Sequence, residues 1–401
     1  MDDILEFGRI ILLVAGALSL AIAVRIVAAR IGLPTAALLL TVAAVASDLS
    51  DWLASLLSFQ DVQRVATLAL IAILFDGGMS IGLRRFRTAA VPITVLGVLG
   101  TFGTAPLVAV AAHYALGFDW TVALLIGAAL APTDPAVTFS VLAGKEVEGR
   151  AGTILEGESG FNDPVGIALM IGMIELATVP EASVADVAWE FLREMGIGLA
   201  VGAVAGFILL QSLRRIPLPD NSLYPLAVLL VAAVIYGIAA TSHGSGFLAV
   251  FVAGIMIGDA EFPRRAEVRH FHASLADLGE LAVFVALGLT IDLGLILAGA
   301  LWWQGLVLAV LLGFVVRPLV VAPLLLPSKL SRGERLFVMW AGLKGAVPIL
   351  LASLAVVGGT DQAPEIYGIV FVVVLFSVVV QGTLVPAVAG RLGVPMVDTD
   401  R

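Results

Sequence analysis

Runs of about 20 consecutive apolar residues recur along this whole chain, and each one, as a helix, is long enough to cross a hydrocarbon core of roughly 30 Å. No other feature narrows the choice of fold so far. In lipid, backbone N–H and C=O groups find no water, so only helices and closed barrels can cross. The runs are continuous, not alternating, which selects helices. Composition agrees: 60% of the residues are hydrophobic and 13% charged, about half the charge of a soluble domain. That leaves too little polar surface to cover a water-soluble body. The 42 glycines suit helices that pack closely or break. With no cysteine, disulfides, thiolate metal sites and cysteine nucleophiles are excluded. The net charge of -9 comes largely from loops and the N-terminal tail and carries no nucleic-acid signal. Met1-Asp2-Asp3-Ile4-Leu5-Glu6 is acidic where a signal peptide is basic, so the first run reads as a retained helix.

Thirteen spans follow, at about 4–30, 33–47, 63–83, 89–113, 119–142, 151–178, 184–211, 222–241, 245–258, 276–298, 300–326, 335–357 and 364–391. The second and ninth read as short or interrupted. The stretch 259–275, with His270 and His272, reads as a basic linker or interfacial helix. With the N-terminus outside, the inner loops hold Arg30; Arg84, Arg85 and Arg87; Lys145 and Arg150; Arg214 and Arg215; Arg264, Arg265 and Arg269; and Lys329, Arg332 and Arg335. Arg391 and Arg401 fall on the inner tail. The outer loops hold mostly acids. Cytoplasmic loops carry the excess of Lys and Arg, and one miscounted helix would invert the pattern downstream, so the alternation supports the count.

An odd number of spans with broken members suggests two inverted halves and a linker helix. The fifth span contains Ala131-Pro132-Thr133-Asp134-Pro135, and the twelfth Gly342-Leu343-Lys344-Gly345-Ala346-Val347-Pro348. Each is interrupted near its middle beside one charge, and seven spans apart they run in opposite directions. The expected fold is therefore all-α and polytopic, with two discontinuous helices crossing at the bilayer midplane.

A charge at the bilayer centre costs at least about 2.5–3.5 kcal/mol, so each one requires a reason. Asp76, Asp134, Glu158, Asp163, Arg317 and Lys344 lie in or near spans. Glu175, Asp277, Glu280 and Asp292 read as interfacial, nearer helix ends. In Glu158-Ser159-Gly160-Phe161-Asn162-Asp163-Pro164, Ser159 and Asp163 share one face and Glu158 and Asn162 the next. A hydroxyl and a carboxylate are hard oxygen ligands suited to a small cation. The competing reading is a polar network that only fixes helix packing. In the fifth span, the prolines free backbone carbonyls around the Thr133 hydroxyl. Asp134 suits the positive N-terminal ends of half-helices and Lys344 the negative C-terminal ends. Asp76, before Gly77-Gly78, is either an interfacial acid or part of a site where backbones approach closely. Arg317, mid-span, needs a buried acid, and Glu158 is the candidate.

These motifs carry a resemblance. Thr133-Asp134-Pro135, Gly157-Glu158-Ser159 with Asn162-Asp163, and Gly342-Leu343-Lys344-Gly345-Ala346-Val347 resemble the NhaP-type sodium/proton antiporters of the first cation/proton antiporter family. Leu74-Phe75-Asp76-Gly77-Gly78-Met79 and Glu158 to Pro164 are similar to its potassium/proton branch. The likeness covers nearly the whole chain in order. It implies an NhaA/NhaP-like fold and a homodimer in the cytoplasmic membrane. A core bundle (89–178 and 300–391) would move against dimerisation helices (4–83 and 222–298), with 184–211 as the linker helix. It implies cation coordination by Thr133, Ser159 and Asp163, with Asp76 as the third-span acid and Asn162 alongside. The structural ion pair would be Glu158 with Arg317. Many relatives carry Glu where this chain has Asp76, and Arg where it has Lys344. Regulation by a cytoplasmic domain, common in potassium-type relatives, is not expected from these 401 residues.

The functional expectation is exchange of Na+ or K+ for H+ without a resident cofactor. Low dielectric disfavours a charged Asp163, so either a proton or a metal cation neutralises it, and never both. One acid beside an asparagine implies one proton per cation, an electroneutral exchange. The alternative is a monovalent cation channel or uniporter, for which no filter or pore-ring pattern is present. An intramembrane hydrolase would need a base beside Ser159, and that span holds no histidine.

Overall fold

The structure, a computed structural model, describes residues 2–134 and 145–398. Pro135, the second half of the fifth span and Arg401 lie outside the described residues. The helices are α1 (Asp2–Ile31), α2 (Thr35–Asp48), α3 (Asp51–Ala54), α4 (Phe59–Val95), α5 (Thr101–Leu116), α6 (Trp120–Leu130), α7 (Gly149–Thr178), α8 (Val184–Arg215) and α9 (Leu223–Thr241). There follow α10 (Gly246–Gly258), α11 (Arg265–Leu289), α12 (Leu293–Ala298), α13 (Leu301–Leu311), α14 (Arg317–Leu325), α15 (Arg332–Trp340), α16 (Ala346–Val357), α17 (Ala363–Phe376) and α18 (Thr383–Leu392). Short π-helical turns join α4 to α5, α13 to α14 and α17 to α18.

Eight helical stretches are long and apolar enough to cross a membrane. One of them, Phe59–Leu116, has 58 residues, which at 1.5 Å each is about 87 Å, too long for one pass. It bends at Gly82 (φ 66°, ψ 163°), inside α4, and supplies two. Four shorter apolar helices, α2, α6, α10 and α16, bring the described residues to thirteen passes. Sequence-coded caps set several starts. Ser58 with Asp61, Ser183 with Asp186 and Ser331 with Glu334 form reciprocal capping boxes at α4, α8 and α15.

One reading of the spans needs correction. The tenth pass begins at Arg265, not near 276, and ends at Leu289, with Leu293–Ala298 a separate short helix. Most of the stretch read as a linker is thus helix, and His272 is fully buried in it. As expected, α2 and α10 are short, and both are continuous; the interruptions fall, also as expected, in the fifth and twelfth passes. The fold is all-α apart from one short strand pair. Lys145–Val147 (β1) pairs antiparallel with Met396–Asp398 (β2), tying the loop before α7 to the C-terminal segment.

Close packing fixes the framework. A Cβ on Gly254 of α10 would collide with the Phe75 carbonyl, and one on Gly258 with the Met79 carbonyl, both on α4. Gly202 of α8 bears the same relation to the Ala249 carbonyl on the other side of α10. Small residues four apart let the backbones touch, which stands in for hydrophobic driving force between helices in lipid. The first part of α4 and α8 to α11 thus form one packed group, with α2 on α11; α5, α6 and α13 to α17 form another. Helices α7 and α16 lie where the groups meet, and the site is built there.

Candidate functional site

Pro132 lacks the amide proton that would extend the hydrogen-bond ladder of α6, and residues 132–134 leave the helix. In the twelfth pass, α15 ends at Trp340 and α16 begins only at Ala346. The two irregular stretches cross and bind each other. The Asp134 amide donates to the Leu343 carbonyl at 2.8 Å. The Lys344 ammonium donates to the carbonyls of Ala131 at 2.9 Å and Pro132 at 2.7 Å, at the C-terminal end of α6. The Asp134 carboxylate accepts the Ala346 amide at 3.3 Å, at the N-terminal end of α16. Each charge therefore faces the helix end whose partial charge is opposite. Gly345 lies against Asp134 with no room for a Cβ, and Ser377 of the α17–α18 turn accepts the Lys344 amide at 2.9 Å.

Beside the crossing, α7 presents Ser159, Asn162 and Asp163, all buried. The Asn162 side-chain amide donates to the Thr133 hydroxyl at 2.8 Å, and the Thr133 and Ser159 hydroxyls are 3.1 Å apart. Asp163 is 6% exposed, and its Oδ1 has no hydrogen-bond partner among the described residues. The Asn162 Oδ1 is likewise without one. Unbonded buried oxygen is costly unless a proton, water or cation fills the gap.

On the adjoining face of α7, Glu158 takes both arms of Arg317, at 2.9 and 3.2 Å. Arg317 also donates to the carbonyls of Val338 at 3.2 Å and Met339 at 3.1 Å, the orphan acceptors at the end of α15.

A cavity of about 330 Å3 lies between the two helix groups, its walls including Asp163, Asp134, Asp76, Asp277 and Glu280. Along α4 it runs from Leu70 to Ser80, toward the end of the molecule bearing Arg84, Arg85, Arg264 and Arg265. At that end Ser80, Ala273 and Asp277 are exposed. At the opposite end, side chains tie the groups together. Gln63 donates to the Ser353 carbonyl at 3.3 Å, and Thr290 and Tyr367 share a hydrogen bond of 2.7 Å. Thr133, Ser159 and Asn162 are not among the cavity's walls; they stand behind Asp163.

Asp277, half exposed and paired with Arg25, fits the interfacial expectation, whereas Glu280, on the cavity wall, corrects it. The error followed from starting the tenth span too late. With α11 beginning at Arg265, Glu280 falls near the middle of a 25-residue helix. Asp292 caps α12, accepting the Leu295 amide at 2.7 Å. Sequence reasoning also missed Ser377, which no motif marks. It missed Asp259 as well, whose carboxylate accepts the amides of Leu83 at 2.9 Å and Arg84 at 2.5 Å and caps the helix restarting after Gly82.

The chain is 33% identical over 388 residues to the K(+)/H(+) antiporter NhaP of Alkalimonas amylolytica, covering 96% of this chain and 67% of that protein. It is 33% identical to the K(+)/H(+) antiporter NhaP2 of Shewanella sp. (strain ANA-3), over 92% of this chain and 64% of the relative. It thus spans about two thirds of the length of the potassium/proton antiporters it matches. The Na(+)/H(+) antiporter NhaH of Halobacillus aidingensis is 30% identical, over 82% of this chain and 83% of its own length. The structure of the sodium proton antiporter MjNhaP1 from Methanocaldococcus jannaschii at pH 8 superposes with a TM-score of 0.80 at 23% identity. That likeness covers 95% of this chain and all of the other, and shows the shared fold. With residues 11–390 matching the family's own pattern, the chain belongs to the transmembrane sodium/hydrogen exchanger family.

Proposed function

We propose that the protein is a secondary antiporter that exchanges Na+ or K+ for H+ across the cytoplasmic membrane, one for one, with Asp163 as the carboxylate both ions use in turn. One observation carries this reading. Asp163 is buried, holds an oxygen without a hydrogen-bond partner among the described residues, and lines a cavity leading to one face of the molecule. In low dielectric, such a carboxylate is stable when neutralised by a proton or a metal cation, and a single site cannot hold both. If the helix groups change their relative position only when that charge is cancelled, exchange follows.

Thr133 and Ser159 complete the cation's oxygen set, Asn162 orients Thr133, and Asp76 lies across the cavity. Coordination by Thr133 and Ser159 requires the ion to pass Asp163 or the side chain to turn, since neither hydroxyl reaches the cavity. Glu158 with Arg317 holds the fold of the site, and Asp134 with Lys344 compensates the broken helix ends. Residues 89–178 and 300–391 form the moving core, 4–83 and 222–298 the dimerisation side of a homodimer, and 184–211 the link. No resident cofactor is required. The basic helix ends support a reading in which the open cavity faces the cytoplasm and the N-terminus lies outside. The names of the relatives support potassium and sodium alike.

The test is cation-driven proton movement in vesicles holding the purified chain. Asp163→Asn is expected to abolish it. Proton movement at the wild-type rate in that variant, or a cation current without proton counter-movement in the wild type, would overturn the proposal.

A further inference from the structure

Among the described residues, six carboxylates line the central cavity: Asp76, Asp134, Glu156, Asp163, Asp277 and Glu280. Three are already matched. Glu156 pairs with Arg85 at 3.2 Å, Asp277 pairs with Arg25 at 3.2 Å, and Asp134 accepts the amide that opens α16. The remaining three, Asp76, Asp163 and Glu280, have no ion-pair partner within 4.0 Å among the described residues. They come from three different helices, α4, α7 and α11, and face one space.

Glu280 is the member that the exchange scheme does not use. It belongs to a stripe on α11 formed by Ala273, Ala276, Asp277, Val283 and Phe284, all cavity walls spaced as one helical face. Acids that serve the architecture of this protein are bonded. Glu158 holds a guanidinium by two bonds, and Asp259 holds two amides. Glu280 accepts no hydrogen bond among the described residues. A second observation points to a ligand at the same place: the buried Asp163, with its unpartnered Oδ1, lines the same cavity. At about 30 Å3 per water, the space holds an ion with several waters of its shell.

The geometry points to Glu280 as a second cation-binding residue, which takes a monovalent cation with part of its hydration shell on the α11 wall and passes it to Asp163. Carboxylate oxygen is a hard ligand, suited to an alkali cation that still carries water. The inference rests on Asp163 being the exchange site. It deepens that reading by placing the entering ion first on a helix outside the moving core. Glu280 sets how readily the cation is captured, and Asp163 whether it is exchanged at all.

The experiment measures cation-driven proton movement in vesicles for the wild type, E280Q, E280D and D163N, with NaCl and KCl as probes. In parallel, the salt concentration giving half-maximal thermal stabilisation is measured on the detergent-purified proteins. E280Q is expected to raise the cation KM and the half-stabilising concentration about tenfold, with the maximal rate within about twofold of wild type. E280D, which keeps the charge, is expected to restore both to within about threefold of wild type. The thermal assay reads binding without transport, so a variant that moves no ions still reports. An unchanged KM and half-stabilising concentration in E280Q, with D163N inactive, overturns the role of Glu280 and leaves the antiport reading intact. Equal losses in E280D and E280Q would assign the effect to the shape of the wall and overturn it too. Activity retained in D163N would instead remove the exchange site itself.

Discussion

Arg317 grips Glu158 with two parallel N–H···O bonds, at 2.9 and 3.2 Å, while its other contacts cap the carbonyls of Val338 and Met339. The pair is 6% and 3% exposed. A buried ion pair repays its desolvation only when the remaining donors are also satisfied. Here the guanidinium does so by closing the end of α15, where helix α15 stops and the break of the twelfth pass begins. Gly342, at that break, lies against the guanidinium with no room for a Cβ. One side chain thus fixes both the α7 face behind Asp163 and the place where the crossing starts.

Replacing Arg317 by lysine keeps the charge but loses the planar fork and the capping bonds. The expected result is a lower melting temperature in detergent for R317K and a still lower one for R317A, with transport falling alongside. Removing one partner of a buried pair typically costs about 3–5 kcal/mol. R317K with a wild-type melting temperature would show that charge alone suffices.

Much of this was legible in the sequence, for a physical reason. Lipid permits few spanning structures, and charge is expensive there, so span count and intramembrane residues stand out. Pro132 and the glycines around Lys344 marked the two breaks, and the lone mid-span arginine required an acid. What escaped was of two kinds. Helix α11 starts with Arg-Ala-Glu-Val-Arg-His, polar enough to read as loop, and that shifted Glu280 toward an end where its charge needed no explanation. Ser377 and Asp259 act on backbone amides through tertiary contacts 33 and 176 residues apart in sequence, which no local pattern encodes.

Gly345 tests the crossing itself. A Cβ there would enter the Asp134 carboxylate, which holds the Ala346 amide. Gly345→Ala is expected to displace Asp134, uncap α16 and reduce cation-driven proton movement about tenfold, equivalent to about 1.4 kcal/mol and within the range of about 0.5–2 kcal/mol for losing a helix cap. Normal transport by the variant would mean that the contact yields without consequence for the site.

If proton and cation compete for Asp163, as proposed, the sign of the pH dependence is fixed. Lowering the pH protonates the carboxylate and leaves fewer free sites for the cation. The apparent cation KM should therefore rise as pH falls, by up to about tenfold per pH unit where the protonated form dominates, and become constant where the site is ionised. The maximal rate at saturating cation should change far less. Initial rates measured over a grid of cation concentration and pH decide the matter. A KM independent of pH, with only the maximal rate changing, would mean that proton and cation occupy separate groups.

The closed end of the molecule offers the last test. Tyr367 and Thr290 share a 2.7 Å hydrogen bond, joining α17 to the end of α11, and Gln63 reaches the Ser353 carbonyl beyond it at 3.3 Å. These contacts hold the two helix groups together on the side away from the cavity's exposed walls. They are made in this state and must break for the other side to open. Each hydrogen bond contributes only about 0.5–1.5 kcal/mol, enough to shift a two-state balance by roughly two- to tenfold. Tyr367→Phe should therefore move the population toward the state open at the Tyr367 end. Because the chain has no cysteine, Ser80→Cys supplies the sole thiol on the cavity wall. Its labelling by a membrane-impermeant maleimide, applied from the basic face, should slow when Tyr367→Phe is added. A labelling rate the same in both backgrounds would mean that this bond plays no part in holding the far end shut.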